Sequence, residues 1–526
     1  MSACARGDRS RVGLASARAR LLLVIATALA MTLMEHGVVE AQAFDGRGAA
    51  GPSGEPPAAP AGPPLSLGEV LASVEAAYPL LDAARADLEA AEAEQVAADG
   101  AFDPLWRTRT SLFAGGYSYG RVDTLVEEPT PLWGMSFFVG YRYGRGKIQD
   151  YYQELETLQY GELRAGIQVP LWRNGPIDRR RATIARADLG RDIADLGIVS
   201  SRLEAVRLAS VRYAEWVAAG LRMQIARTLL DIAATRDAQV AARAARGDVP
   251  ALERVENQRL VLQREAALVA AERTLVQASL ELSLYYRGAD GRPRVPAASR
   301  LPTALPEPRV IGDDEARRAR VQAETRRPEP QRFERARAQL EVDRDLADNQ
   351  AAPAIDVLLF ASQDLGPRDT ADSTLSRAHI PQIEAAVQLE IPVLNRVARG
   401  RAAAASAGME RLDAQRELAL DRVRAEVRDA LSALDAAQRR VALVRREVEV
   451  TAQLEAAERQ RFEAGDSTLF VVNLREQATA EARVREVDAL LDWQRASASF
   501  RAATAEDVGP IVNRGRVSDA RPGEDL

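Results

Sequence analysis

From Met409 to Ala464 the chain runs without a single glycine or proline. Nothing in such a run caps or breaks a helix, and at 1.5 Å per residue it would extend about 80 Å. Within it, "LALDRVRAEVRDALSALDAAQRRVALV" spaces Leu, Val and Ala three and four residues apart, with Arg and Glu between them. This is the pattern of a helix whose single apolar stripe must be covered by other helices. The periodicity predicts one long helix over Arg401 to Ala464 and another over Ile177 to Arg246, each about 100 Å long. Both meet a Gly-Asp turn, "ARGDVPAL" at Ala245 and "EAGDSTLF" at Glu463. There Gly247 and Gly465 suit a left-handed cap, and Asp248 and Asp466 can cap the next helix. Two long antiparallel helical hairpins are expected.

Short alternating stretches interrupt this helical plan. In "GELRAGIQVPLW", Leu163, Ala165, Ile167, Val169 and Leu171 share one face; in "IEAAVQLEIPVL", Ile383, Ala385, Val387, Leu389 and Ile391 do so. That is the period of a strand, and Pro170 and Pro392 fall at matching places as strand-to-helix junctions. Upstream, "ADGAFDP" and "ADNQAAP" put Pro104 and Pro353 at matching helix-to-strand junctions. The chain therefore reads as two internal repeats. The first covers 65–286, with a helix, strands over about 104–171, and a hairpin over 176–286 with its tip near 247. The second covers 311–505, with a helix, strands over about 353–392, and a hairpin over 398–505 with its tip near 465. The proline-rich stretch 287–310 connects them, and 506–526 reads as a flexible tail.

The N-terminus carries arginines at 6, 9, 11, 18 and 20, then the apolar run "LLLVIATALAMTL" and the small residues of "AQA" at Ala41 to Ala43. This reads as an export signal over 1–43; the run is shorter than the ~20 residues a membrane-spanning helix needs. Residues 44–64 form a Pro/Gly-rich linker. Cys4, the only cysteine, precedes the apolar run and cannot carry a lipoprotein's acyl anchor. A net charge of -6 argues against nucleic acid. Lys147 is the only lysine among many arginines, which coding bias accounts for as well as phosphate recognition does.

About half of the chain's aromatic residues fall between Phe102 and Trp172. They suit the interfacial girdles of an outer-membrane strand region or, alternatively, an aromatic β-sandwich core. The strands have about the 9–11 residues that a tilted spanning strand requires. Two hairpins would give four strands per chain, whereas closed bacterial barrels begin at about eight. Because an open sheet edge cannot sit in lipid, several copies must share one barrel. Between Pro104 and Pro170, however, three strand-like runs occur where two are required: "WRTRTSLFAGGYSYG", "LWGMSFFVGYRYG" and "GELRAGIQVPL".

The order of these features, the prolines of "IQVPL" and "LEIPV", and the tip "RFEAGDSTLFVVNLREQATAEARV" resemble the TolC-type outer membrane efflux protein family over roughly Leu65 to Ala505. The resemblance implies a mainly α fold with membrane β: a homotrimeric 12-stranded transmembrane barrel continued by an α-barrel of helical hairpins across the periplasm. It implies a non-enzymatic outer-membrane channel of a tripartite efflux or type I secretion system. A periplasmic adaptor would dock on the hairpin tips, and an inner-membrane pump would deliver the substrate. By position, the adaptor-contacting residues would be Arg243, Gly247, Asp248 and Val249 on one tip and Arg461, Gly465, Asp466, Ser467 and Thr468 on the other. Where some members carry acidic gating rings, this chain has Val471 and Leu474.

Catalysis has little support in the residues. His36 falls in the signal, and His379 lies in a loop without a triad partner. Nearby Asp364, Asp369 and Asp372 could hold a cation loosely but read better as a polar loop. No phosphate-binding loop, cofactor motif or metal site is found. The alternative is a periplasmic coiled-coil adaptor or scaffold, which the same helices would serve.

Overall fold

The computed structural model describes residues 62–116, 118–146, 157–246, 251–367 and 380–506 of the 526-residue chain. The signal segment, most of the linker, the tail after Glu506, and the expected sites at Gly247, Asp248, Val249, Asp369, Asp372 and His379 lie outside the described residues.

In the first half, α1 (Leu67–Ala77) and α2 (Pro79–Asp99) precede β1 (Leu105–Phe113), β2 (Tyr119–Pro129), β3 (Ser136–Gly146) and β4 (Glu162–Pro170), then α3 (Arg179–Ala245) and α4 (Ala251–Ser283). In the second, α5 (Asp313–Arg326) and α6 (Pro328–Ala351) precede β5 (Ala354–Asp364) and β6 (Gln382–Glu390), then α7 (Arg396–Glu463) and α8 (Leu469–Thr504). Where the sequence suggests one short helix ahead of each strand region, there are two. They are split at Pro79 and Pro328, each of which starts the second helix at a position where its missing N–H costs nothing.

The helices hold together through apolar seams. On α7, Val423, Val427, Ala430, Leu434, Ala437, Val441 and Val444 are buried, four and three residues apart in strict alternation, which is the heptad spacing of helices packed side by side. Arginine–carboxylate pairs flank the seam with α8: Arg440–Asp492 at 2.5 Å, Arg485–Glu447 at 2.7 Å and Arg445–Glu486 at 3.1 Å. The largest apolar cluster surrounds Trp216 of α3 and brings in α1, the end of α4, α7, α8 and the connector. The connector is clamped there by Arg300, whose Nη2 donates to Glu69 of α1 at 2.7 Å.

Four helices pass each level. Near the sheet they are α2, α3, α6 and α7, packed in that order; farther away they are α4, α3, α8 and α7.

Among the described residues the strands form one six-stranded antiparallel sheet in chain order, β1 to β6. This corrects the expected four strands: the first half contributes four, not two, and β2 is the strand missed. β1 begins directly after Pro104, β4 ends at Pro170, β5 begins directly after Pro353, and Pro392 follows β6 by two residues.

The register carries one set of side chains across the whole sheet. Trp106 lies opposite Val126, Val126 opposite Val139, Val139 opposite Ala165, Ala165 opposite Ala361, and Ala361 opposite Ile383. Side chains alternate between faces along a strand. One face therefore carries Trp106, Leu112, Val122, Val126, Phe137, Val139, Leu163, Ile167, Leu359, Ile383, Val387 and Leu389. The other carries Arg107, Arg109, Arg121, Asp123, Arg142, Glu162, Arg164, Gln388 and Glu390.

Candidate functional site

Two regions of the molecule hold chemistry. The first is the polar face of the sheet, where an alternating chain of charge crosses three strands: Arg121–Asp123 at 2.6 Å, Arg142–Asp123 at 2.8 Å, Arg142–Glu162 at 3.4 Å and Arg164–Glu162 at 4.0 Å. Arg164 also lies over the Phe360 ring, 5.3 Å from its centre. Gly166 makes room here, since a Cβ would come within 2.7 Å of Phe138 and Phe360. At the helical end of this face a cavity of about 960 Å³ is bordered by Arg173, Arg179, Arg180, Arg396 and Arg401 together with Glu127 and Asp356.

The opposite face is apolar and bare: Ile383, Val387 and Leu389 are 82%, 71% and 60% exposed. Trp106, Trp133 and Trp172 stand exposed where the sheet meets the helices, the position of an aromatic belt at a membrane interface. Tyr141 and Tyr143 join the apolar face, whereas Phe138 and Phe360 belong to the polar one. The aromatic concentration seen in the sequence thus divides between the two faces.

The second region is the far end of the helical hairpins. α7 ends in a left-handed turn: Gly465 has φ +85°, its N–H donates to the Phe462 carbonyl at 3.1 Å, and the Asp466 N–H donates to the Arg461 carbonyl at 2.8 Å. These are the paired bonds of a Schellman cap. Asp466 does not cap the next helix; Thr468 occupies that position, without a side-chain bond. Ser467 donates to Glu458, and an Arg461 guanidinium nitrogen lies 3.6 Å from the same carboxylate. On the other hairpin Arg243 is exposed in the last turn of α3. Phe470 and Leu474 of α8 are exposed close behind the tip, and Val471 is half-buried. A β-branched residue in the left-handed region costs about 1–2 kcal/mol. Gly465→Val is therefore expected to loosen this cap, read as faster amide exchange over Arg461 to Val472 with the exchange of α3 unchanged.

Behind the second tip on α8 lies an acidic residue, Glu476, that points inward. Its side chain is 1% exposed and accepts from Arg236 of α3 at 2.5 and 3.0 Å, from Arg459 of α7 at 3.0 Å and from Arg264 of α4 at 3.5 Å. One carboxylate on α8 is thus tied to the three other helices of this level. Burial alone would raise its pKa, but the Arg236 and Arg459 guanidinium groups outweigh that and hold it below the usual carboxylate range. A carboxylate lowered on folding stabilises the protein fully above its unfolded pKa of about 4.3 and loses that contribution as pH falls through the lowered value. The hairpin ends should therefore be held less firmly as pH falls below the usual carboxylate range. Glu476→Gln should flatten this part of the stability–pH profile, measured as thermal midpoint against pH.

Among the described residues no group of His, Cys, Asp and Glu is placed to hold a metal, and no helix is long and apolar enough to cross a membrane. Asp364 instead accepts from the Leu158 N–H at 3.0 Å.

Solved structures share this architecture. The Campylobacter jejuni CmeC outer membrane channel aligns with a TM-score of 0.57 and 11% identity, over 83% of this chain and 85% of that one. The Vibrio cholerae outer membrane protein VceC aligns at 0.57 and 14%, over 83% and 95%. The open state of the Neisseria gonorrhoeae MtrE outer membrane channel aligns at 0.57 and 14%, over 83% and 88%. The chain has the TolC-type outer-membrane channel fold. No protein-family model and no curated protein matches its sequence.

Proposed function

We propose that this chain is a subunit of an outer-membrane channel of a tripartite efflux or type I secretion system. It would provide a passive duct from the periplasm to the exterior. The observation that carries the reading is the sheet: one face is exposed and apolar across the middle of all six strands, with charge only at strand ends (Glu128, Arg145), and the other is lined with paired charges. A soluble protein would bury the apolar face, because an exposed patch of this extent drives association. In lipid the arrangement is favourable, provided the backbone groups at both sheet edges find partners. Closure then requires further copies, and in this reading the assembly is the homotrimer that the resemblance implies. The long hairpins would form the periplasmic tunnel. Their ends, with Arg461, Gly465, Asp466, Ser467, Thr468 and the exposed Phe470 on one hairpin and Arg243, Gly247, Asp248 and Val249 on the other, would meet a periplasmic adaptor. The adaptor joins the channel to an inner-membrane pump. Energy and substrate choice would then belong to the pump, and this subunit would contribute no covalent chemistry.

Cell fractionation tests the reading. The protein is expected in the outer-membrane fraction, and after mild detergent extraction as an oligomer that survives unheated SDS electrophoresis. Recovery as a soluble periplasmic monomer would support the scaffold reading instead.

A further inference from the structure

The sheet ends on two unpaired strands. Among the described residues β1 pairs only with β2, and β6 only with β5. We propose that these edges are one interface: β1 of each subunit pairs antiparallel with β6 of the next, so that all six strands enter the barrel wall. Three copies would then supply eighteen strands, three times the six seen here, where four per subunit would give twelve. This rests on the channel reading and specifies how its barrel closes.

Four observations converge on it. Direction is the first: six antiparallel strands in chain order leave β1 and β6 running opposite ways, so a ring of identical subunits closes with every neighbour antiparallel.

Face chemistry is the second. The apolar face does not stop at β3 but continues through Val122, Thr124 and Val126 of β2 to Trp106, Thr108, Thr110 and Leu112 of β1. A hairpin set apart from the bilayer would have no use for it. For the faces to stay continuous across the seam, odd-numbered residues of β1 must lie opposite even-numbered residues of β6.

That parity supplies the third observation, charge. On the polar face β1 offers Arg107 and Arg109, and β6 offers Glu384, Gln388 and Glu390. Arg109 and Glu384 have no ionic partner among the described residues. Opposite charges facing across neighbouring strands stabilise the pair.

Size is the fourth. Beneath the sheet each subunit presents four helices side by side, α2, α3, α6 and α7; at about 8–10 Å between axes they span an arc of about 32–40 Å. Strands about 4.8 Å apart and tilted about 40° each occupy about 6 Å of circumference. Six strands cover about 38 Å, whereas four cover only about 25 Å. The six-stranded arc meets its helical arc without a step.

Cysteine crosslinking in whole cells tests the seam, in a Cys4→Ser background that leaves no other thiol. Arg109→Cys is combined in turn with Glu384→Cys, Ala386→Cys and Gln388→Cys, three registers compatible with the face parity; Phe138→Cys with Gln388→Cys serves as the pair for a four-strand arc. The expected result is an oxidant-dependent ladder ending at three subunits for at least one of the three registers, with none from the Phe138 pair. A ladder from the Phe138 pair alone would overturn the seam while leaving the channel intact. So would outer-membrane oligomers that fail to crosslink in any of the three registers. Variants recovered only as soluble monomers, like the parent chain, would instead overturn the channel reading. As a second measurement, Arg109→Glu is expected to lower the SDS-resistant oligomer at least tenfold, and adding Glu384→Arg is expected to restore it. An unchanged oligomer in the single variant, or no recovery in the double, would count against the seam.

Discussion

Glu476→Ala should destabilise the hairpin end by about 3–5 kcal/mol, the loss expected when a buried ion pair is broken by removing one partner. The penalty arises less from the missing bonds than from what remains. Arg264 is 7% exposed and Arg236 16% exposed, and both would keep their charge without the carboxylate that bonds them. Burial already pulls the Arg264 guanidinium below its ordinary pKa, and Glu476 is the foremost group opposing that pull. Since one carboxylate ties α3, α4 and α7 to α8, its loss should release both hairpins together. Far-UV circular dichroism melting of the detergent-extracted protein would show a lowered midpoint, and amide exchange would rise on α4 and α8 alike. A melting curve identical to that of the parent would mean that the apolar seam alone holds this level together.

Trp216→Ala should cost a comparable ~3–5 kcal/mol by a different route. Trp216 is fully buried, with its ring tilted against Tyr213 at 6.2 Å between centres. It lies in the cluster that joins α1, α3, α4, α7, α8 and the connector. Truncation leaves a cavity lined by helices from both halves of the chain, and rigid helices cannot collapse into it fully. Among the described residues the indole N–H has no acceptor, so Trp216→Phe sacrifices chiefly volume and should lose much less. The same melting measurement distinguishes the two; equal losses for Ala and Phe would contradict a packing role.

What the sequence revealed follows from how local its signals are. The long helices were legible because the seam from Val423 to Val444 is spaced by the helix itself, and Gly465 was legible because only a residue tolerant of positive φ ends such a helix easily. The junction prolines marked the strand ends for a similar reason, since proline cannot donate to a ladder. β2 escaped because its polar face carries Arg121, Asp123 and Glu127, so "YGRVDTLVEEP" resembles a polar loop. The alternation of Val122, Thr124 and Val126 was the available signal. Glu476 was illegible for a stronger reason: in "LREQATAEARV" it looks like one more solvated charge. Its burial depends on Arg236 and Arg264, more than two hundred residues away in the chain.

The central claim is that the sheet stands in a bilayer with one face to lipid and the other to water. A residue-by-residue fluorescence scan of β6 tests it most directly. Single cysteines at positions 383 to 389 would carry an environment-sensitive probe, with the protein reconstituted in vesicles. The account predicts a period of two: probes at Ile383, Ala385, Val387 and Leu389 quenched by a lipid-borne quencher, and probes at Glu384, Ala386 and Gln388 quenched by an aqueous one. Aqueous quenching at every position, with no alternation, would contradict it.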